Sequence, residues 1–297
     1  DVTANGAKDT IDGIYVSGFT GLVRDGVSIF SDNGYVDPYE TDLAQVFQFP
    51  TYADDGGQDH MQAYLAGVNN TIDGIDLKND KNFYWNATDG VKKEDENLGS
   101  SGMPNYSDLE TLIADGEDFI WWDADNEQMV INGRIPIEGD FNTDLGDIFY
   151  HGKGSLMTLD TGDYTGSVQM TIKSSLIPRT ITDFDNGSPQ YDEGGFLTNN
   201  VLALMSSYKL TFALDDSESR TDLYGAFYCQ DLVEMEDDGD PTSFIGGVAS
   251  DRFKVKGDAR FVFTPGLDDA FTDRMLVIGS GGGGGGAYTN LAWYEVG

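Results

Sequence analysis

The sequence has few of the residues on which many metal-dependent and nucleophilic enzymes rely. Cys229 is the only cysteine among 297 residues, so no disulfide can form within the chain, and its aromatic neighbours predict a buried thiol. His60 and His151 are the only histidines, and neither an HExxH nor a CxxC pattern occurs. These absences disfavour a zinc site of the His/Cys type and a Ser-His-Asp triad. A glycosidase-like pair of carboxylates leaves no sequence signature and stays open.

Positive charge is also scarce. The chain has 17 Lys and Arg residues against 52 Asp and Glu residues, which gives a formal net charge of −35. Such a surface repels nucleic acid, so we expect no nucleic-acid partner. Two interpretations of the charge stay open and are compatible: adaptation to concentrated salt, where exposed charges are screened, and carboxylate-rich sites for Ca²⁺. We expect no other cofactor.

Long apolar runs and helical patterns are rare. No run of about 18 apolar residues occurs, so the sequence predicts no membrane span. Residues 107–116, SDLETLIADG, predict a short helix with Ser107 as its N-cap, Glu110 completing a capping box and Gly116 as the stop. Residues 57–68 are a weaker helical candidate. One or two short helices are therefore expected as insertions in connections.

Most periodic segments alternate with the period of a strand. Apolar and polar residues alternate over 167–173, SVQMTIK, and over 208–214, YKLTFAL. Many short strands, turn signals and 38 glycines favour an all-β fold, which we predict to be a jelly roll or β-sandwich. It would be one decorated sandwich or two in tandem, residues 1–140 and 141–297, with the break within residues 139–146.

Three dipeptides predict tight hairpins, because their glycine accepts the positive φ of a two-residue turn. They are Asp25-Gly26, Asn132-Gly133 and Gly257-Asp258. The words TIDGIYV at 10–16 and TIDGIDL at 71–77 share five residues, although no further similarity follows either copy. An internal repeat is thus a hypothesis on these two words alone.

Clusters of carboxylates are the candidate metal sites. Carboxylates this close together repel one another unless a cation lies among them, and Ca²⁺ prefers oxygen ligands. An ordered ion competes here with solvated acidic turns that hold salt ions loosely. The candidate ligands are Asp123, Asp125, Glu127, Asp183, Asp185, Asp238 and Asp240.

The C-terminal part carries the candidate contacts between copies. Five of the 17 basic residues fall within 23 positions and could meet the acidic surface of another copy, or could pair locally with Asp251, Asp258 and Asp273. Gly281 to Gly286 are six consecutive glycines, which favour a flexible loop or a close approach between backbones. The assembly residues we predict are Arg252, Lys254, Lys256, Arg260, Arg274, Gly281 and Gly286.

Four Asn-x-Ser/Thr triplets match the acceptor pattern for N-glycosylation, which is typical of an exterior protein. Their asparagines are Asn69, Asn86, Asn105 and Asn186. In loops rich in Asn and Gly such triplets also arise by chance, so they add little to the functional prediction by themselves.

The abundance of strands and turns, without an assembled catalytic motif, favours a building block over an enzyme. We predict a non-enzymatic, self-assembling structural subunit adapted to high salt, either a virion protein (capsid, tail or spike component) or a surface filament subunit. Its partners would be its own copies or other structural proteins of the assembly, on the virion or the cell exterior. The alternative is a secreted, calcium-assisted carbohydrate-binding module or glycan-active enzyme, in which Trp121, Trp122, Trp85 and Tyr84 stack on sugar rings.

Overall fold

The computed structural model describes residues 11–12, 29–30, 69–95, 102–159, 168–181, 196–206, 208–213, 221–236, 242–256 and 259–263. The chain divides into two compact units, one of Asp1–Phe49 with Tyr294–Gly297 and one of Pro50–Trp293. In the first unit, strands β1 (Ile11–Asp12) and β2 (Ile29–Phe30) pair in parallel. Residues 139–146, where a domain break was predicted, lie inside the second unit.

The second unit holds a single 14-stranded sheet and, among its described residues, one helix, α1 (Tyr106–Asp115). The strands are β3 (Ile72–Asp76), β4 (Asn82–Asn86), β5 (Lys93–Asp95), β6 (Phe119–Asp123), β7 (Gln128–Thr143), β8 (Asp147–His151), β9 (Lys153–Leu159), β10 (Gln169–Ile172), β11 (Ser175–Pro178), β12 (Val201–Ser206), β13 (Lys209–Ala213), β14 (Thr221–Glu236), β15 (Thr242–Lys256) and β16 (Ala259–Phe263).

From β7 onward the chain winds in successive layers, here called rungs, that stack in parallel. The long strand β7 pairs with three later strands in turn: Gln128 lies opposite Phe149 of β8, Gly133 opposite Gly154 of β9, and Phe141 opposite Met170 of β10. Rung 1 is β7, rung 2 is β8 to β10, rung 3 is β11 to β13, rung 4 is β14 and rung 5 is β15, with β16 beginning the next layer.

The prediction of an all-β fold is confirmed, but that of a jelly roll or β-sandwich is wrong. Both of those folds are antiparallel, whereas all pairings between rungs are parallel. Six parallel strands close a hydrogen-bonded ring in the order β7, β8, β11, β14, β12, β9 and back to β7. The ring closes because β7 bends and pairs with both β8 and β9, and β14 bends and pairs with both β11 and β12. This is the geometry of a parallel β-solenoid.

The core lies inside the rungs, where residues in register stack in rows. One row consists of Ile135, Leu156, Leu204, Phe227 and Val248. All five are buried in one large cluster, so each rung covers the apolar surface of the next. Cys229 is buried as predicted, in register with Ser206 and Ser250, and its Sγ donates to the Tyr208 carbonyl oxygen at 3.3 Å.

Glycines allow the chain to bend sharply between faces of a rung. Gly152, between β8 and β9, has φ +98°, and a Cβ there would collide with the Ile131 carbonyl oxygen of the rung below. Asn132-Gly133 lies at the equivalent bend of β7, with φ +75° at the glycine. The positive φ predicted for Gly133 is therefore confirmed, but the hairpin is wrong, since β7 continues through the bend into the next parallel pairing.

The hairpin predicted at Gly257-Asp258 is also wrong, although these two residues lie outside the described part. The flanking strands β15 and β16 pair in parallel, with Thr242 opposite Ala259. The chain therefore passes from the end of one rung to the start of the next. The hairpin at Asp25-Gly26 and the helix over 57–68 fall outside the described residues, as does the glycine run.

An antiparallel cap covers rung 1, made of β4, β5, β6 and α1. The helix predicted over 107–116 is confirmed, and so is its end at Gly116, which has φ 73°. Its start differs, because Asn105 is the N-cap and forms a capping box with Asp108. Among the described residues no helix is long and apolar enough to span a membrane.

Candidate functional site

The acidic turn between β6 and β7 is ordered by its own hydrogen bonds. Asp123 is fully buried, and its Oδ1 accepts from the backbone nitrogens of Asp125 and Asn126 at 3.0 and 3.2 Å. Its Oδ2 accepts from Asn126 Nδ2 at 2.7 Å. Both oxygens of Asp123 are thus used by the turn, while Asp125 is exposed and Glu127 half-buried. The turn is an Asx structure, held by the Asp123 side chain.

The other predicted calcium ligands lie outside the described residues, namely Asp183, Asp185, Asp238 and Asp240. Within the described part of the chain, no group of three or more potential ligands is close enough together to hold a metal ion. A calcium site involving the four undescribed carboxylates stays a prediction.

The aromatic residues expected to stack on sugars are packed inside the molecule. Trp85 and Trp122 lie in the large core cluster, and Trp121 lies with Tyr84 in a second cluster beneath α1. Each is at most 5% exposed. Their ring faces therefore contact protein rather than solvent, so the residues that motivated a glycan-binding function do not form an accessible platform.

A shallow cleft lies beside this second cluster, with a volume of about 430 Å³. Its lining comes from the middle of α1, from the segment just before the helix and from Tyr84 of β4. Burial raises the pKa of the Tyr84 phenol, and a hydrogen bond from Asn86 opposes that shift. The lining combines apolar side chains with Asp108 and Thr111.

The basic residues predicted to contact other copies lie mainly on the last two described strands. Arg252, Lys254 and Lys256 are on β15, opposite Leu232, Glu234 and Glu236 of rung 4, and Arg260 is on β16 opposite Ser243. Arg274, Gly281 and Gly286 lie outside the described residues. The structure thus brings three of the seven onto one strand, near the end of the described stack that lies away from the cap.

Glu234 lies between two lysines of the neighbouring rungs, and sequence reasoning missed it. Its side chain is 6% exposed, Lys209 Nζ lies 2.5 Å from its Oε2, and Lys254 pairs with its Oε1. The hydrogen bond from Lys209 first, and then the one from Lys254, lower the pKa of Glu234 to about 2. This charged row joins rungs 3, 4 and 5 and occupies the ammonium group of Lys254.

The described histidine, His151, lies at the bend between β8 and β9. Its Nδ1 is 2.8 Å from the Arg179 carbonyl oxygen, which fixes the hydrogen on Nδ1. Burial lowers the pKa of His151, while the Arg179 carbonyl and the charge of Glu110 oppose the shift. Arg179 itself is buried and stacks over the Phe149 ring at 3.6 Å. The imidazole of His151 is therefore a structural element of the bend.

Comparison of the chain with protein-family models, with curated proteins and with solved structures finds no significant match.

Proposed function

We propose that this chain is a non-enzymatic structural subunit of a salt-adapted assembly, a virion component such as a capsid, tail or spike protein, or a surface filament subunit. Its copies would associate end to end. Support comes from the solenoid itself, in which each rung contacts only its neighbours, so that in a stack of this kind an uncovered strand edge can accept a further layer from another copy.

The observation that carries the proposal is the difference in charge between the two ends of the described stack. The described residues 69–95 and 102–127, which include the cap, contain 14 acidic and 4 basic residues, whereas the described residues 242–256 and 259–263 contain 1 acidic and 4 basic residues. The acidic end of one copy therefore attracts the basic end of another. A heterologous, head-to-tail contact of this kind builds a ring where the rotation between copies closes and a filament where it does not.

The edge of β15 supplies a second support. β16 pairs with Thr242–Gly246, and within the described ranges no strand lies on the far side of Arg252–Lys256. A strand from another copy could add there through main-chain hydrogen bonds. Concentrated salt would screen the repulsion between the acidic sides of neighbouring copies while leaving such short-range contacts in place.

Light scattering and negative-stain microscopy across 0.2 to 3 M NaCl test this function. We expect particles much heavier than one chain, whose size grows with protein concentration at molar salt. The double variant R252E/K256E should shift this growth to at least about tenfold higher protein concentration, since reversing two charges at the contact costs on the order of 1.4 kcal/mol or more.

The matched control is K153E/K173E, which makes the same change of net charge in rung 2 and just after it, away from either end. It should assemble like the unaltered chain. A chain that stays monomeric at all salt and protein concentrations would contradict the proposed function, as would equal loss of assembly in both double variants.

A further inference from the structure

The asparagines of the three described glycosylation triplets differ in their exposure and in the hydrogen bonds of their side chains. Asn69 is exposed, in the segment just before β3. Its neighbour Asn70 is anchored instead, because Asn70 Nδ2 donates to the Ala87 carbonyl oxygen at 2.7 Å. Asn69 is therefore an exposed acceptor residue next to one that is anchored to the fold.

Asn86 is unsuited to carry a glycan in the folded protein. It is 8% exposed, and its Nδ2 donates to the Tyr84 hydroxyl and to Asp89 Oδ2, both at 3.2 Å. Its Oδ1 accepts from the Asp89 backbone nitrogen at 2.7 Å. A sugar on Nδ2 would displace these contacts and would need space that the fold does not provide.

Asn105 is exposed but is held by the helix that it caps. Its Oδ1 accepts from the backbone nitrogens of Ser107 and Asp108, and Ser107, which carries the hydroxyl of the triplet, lies in the first turn of α1. Presenting Asn105 and Ser107 together in an extended acceptor segment would require unwinding that turn. The triplet Asn69-Asn70-Thr71 has no such constraint, since it precedes β3 outside any helix.

We propose that Asn69 is an N-glycosylation site of the folded protein and that Asn86 and Asn105 are not. In the reaction, Asn69 Nδ2 forms a bond to C1 of a lipid-linked oligosaccharide, the bond from C1 to the lipid pyrophosphate oxygen breaks, and the amide loses one proton while the lipid pyrophosphate leaves. The inference does not depend on the proposed function, although a glycan at Asn69 would lie beside the capped end of the stack.

The test uses the full chain produced without glycans, a purified oligosaccharyltransferase and a lipid-linked oligosaccharide. Site occupancy is read by glycopeptide mass spectrometry on the folded chain and on a chain unfolded in urea and diluted just before the reaction. In the folded chain we expect at least about tenfold greater occupancy at Asn69 than at Asn86 or Asn105. In the unfolded chain we expect all three to be modified.

Two variants of the triplet are matched controls. T71V removes the acceptor pattern with little change in shape and should abolish modification at Asn69, whereas T71S keeps the pattern and should retain it. N69Q serves as a second loss variant if T71V disturbs the fold. Absence of sugar at Asn69 in the folded chain would overturn the proposal, and so would equal occupancy at Asn86 or Asn105.

Discussion

At the scale of single residues, Glu234 shows how this acidic protein uses its few positive charges. Two of its 17 basic residues, Lys209 and Lys254, converge on this one carboxylate, although 52 acidic residues compete for them. Since the three residues belong to three successive rungs, the pairing holds together strands that are distant in the sequence. The predicted assembly residue Lys254 thus has a structural partner within its own chain.

Replacing Glu234 should make stability depend less on pH. The pKa of Glu234 is lowered in the folded chain, so its stabilising effect is fully present above the unfolded pKa near 4.5 and is lost as the pH falls toward about 2. We expect E234Q to lower the free energy of unfolding by about 1–2 kcal/mol at pH 7. The difference from the unaltered chain should shrink steadily below pH 4.5.

Urea unfolding at several pH values measures this effect. Glu94 offers the control, because its side chain is 46% exposed where it pairs with Lys92. E94Q should cost no more than about 0.5 kcal/mol at any pH. A pH-independent difference between E234Q and the unaltered chain would show that the ion pairs contribute nothing.

Alanine substitutions at Gly102 and Gly152 separate two contributions to the free energy of unfolding: backbone strain at positive φ, and a steric clash with the neighbouring rung. At Gly102, φ is +109° and a Cβ would meet only the Lys93 side chain, at 3.7 Å. G102A should therefore cost about 1 kcal/mol for backbone strain alone. At Gly152 the added Cβ also collides with the backbone of rung 1, so we expect G152A to cost at least about 3 kcal/mol. Equal midpoints of chemical unfolding for the two variants would contradict the stacking of rungs at this bend.

At the scale of elements, the helix and the strands were predictable to different degrees. The local sequence predicted the helix and its end at Gly116 correctly, but it placed the N-cap at Ser107, two residues too late. Both Asn105 and Ser107 are residues that favour the N-cap position, and only the fold selects between them. Alternation gave the strand segments Gln169–Ile172 and Lys209–Ala213 correctly. It did not give their direction of pairing, since parallel and antiparallel neighbours require the same alternation.

The two candidate caps of α1 give a direct comparison. N105A removes an acceptor for two backbone nitrogens and should destabilise the protein by about 1 kcal/mol, whereas S107A should change its stability by less than about 0.5 kcal/mol. Thermal unfolding followed by circular dichroism measures both. A larger loss of thermal stability in S107A than in N105A would show that Ser107 is the N-cap, as the sequence predicted.

A stronger signal of parallel packing was present in β12. Its six residues, VLALMS, are all buried, as is typical of a parallel strand covered on both faces rather than of a half-exposed strand. The repeat was harder to see. Residues in register are 21 apart between Gln128 and Phe149 but 47 apart between Leu176 and Leu223, because insertions of unequal length separate the strands.

At the scale of the whole molecule, the net charge of −35 should dominate the response to salt. Unscreened repulsion opposes the compact state, so we expect the unfolding temperature to rise by several degrees between 0.1 and 1 M NaCl. The rise should then flatten, because the screening length is about 3 Å at 1 M. Calorimetry in NaCl, with a parallel series in sucrose as the uncharged control, measures this dependence.

A second series separates salt adaptation from specific calcium binding. If the acidic surface acts through screening alone, 1 mM CaCl₂ added at 0.1 M NaCl should leave the unfolding temperature nearly unchanged. A large, saturable increase would instead indicate an ordered calcium site, which the carboxylates outside the described residues, such as Asp183 and Asp238, could supply.

The sequence by itself determined the properties that depend on composition and near neighbours: an all-β chain, an acidic surface, a buried thiol at Cys229 and a positive φ at Gly133. Only the tertiary structure decided that the strands wind into parallel rungs, that Gly152 lies against the backbone of Ile131 and that Glu234 joins two lysines. The physical reason is the same for all three. Such contacts are selected by how the chain winds, and the local pattern of side chains is equally compatible with several ways of winding.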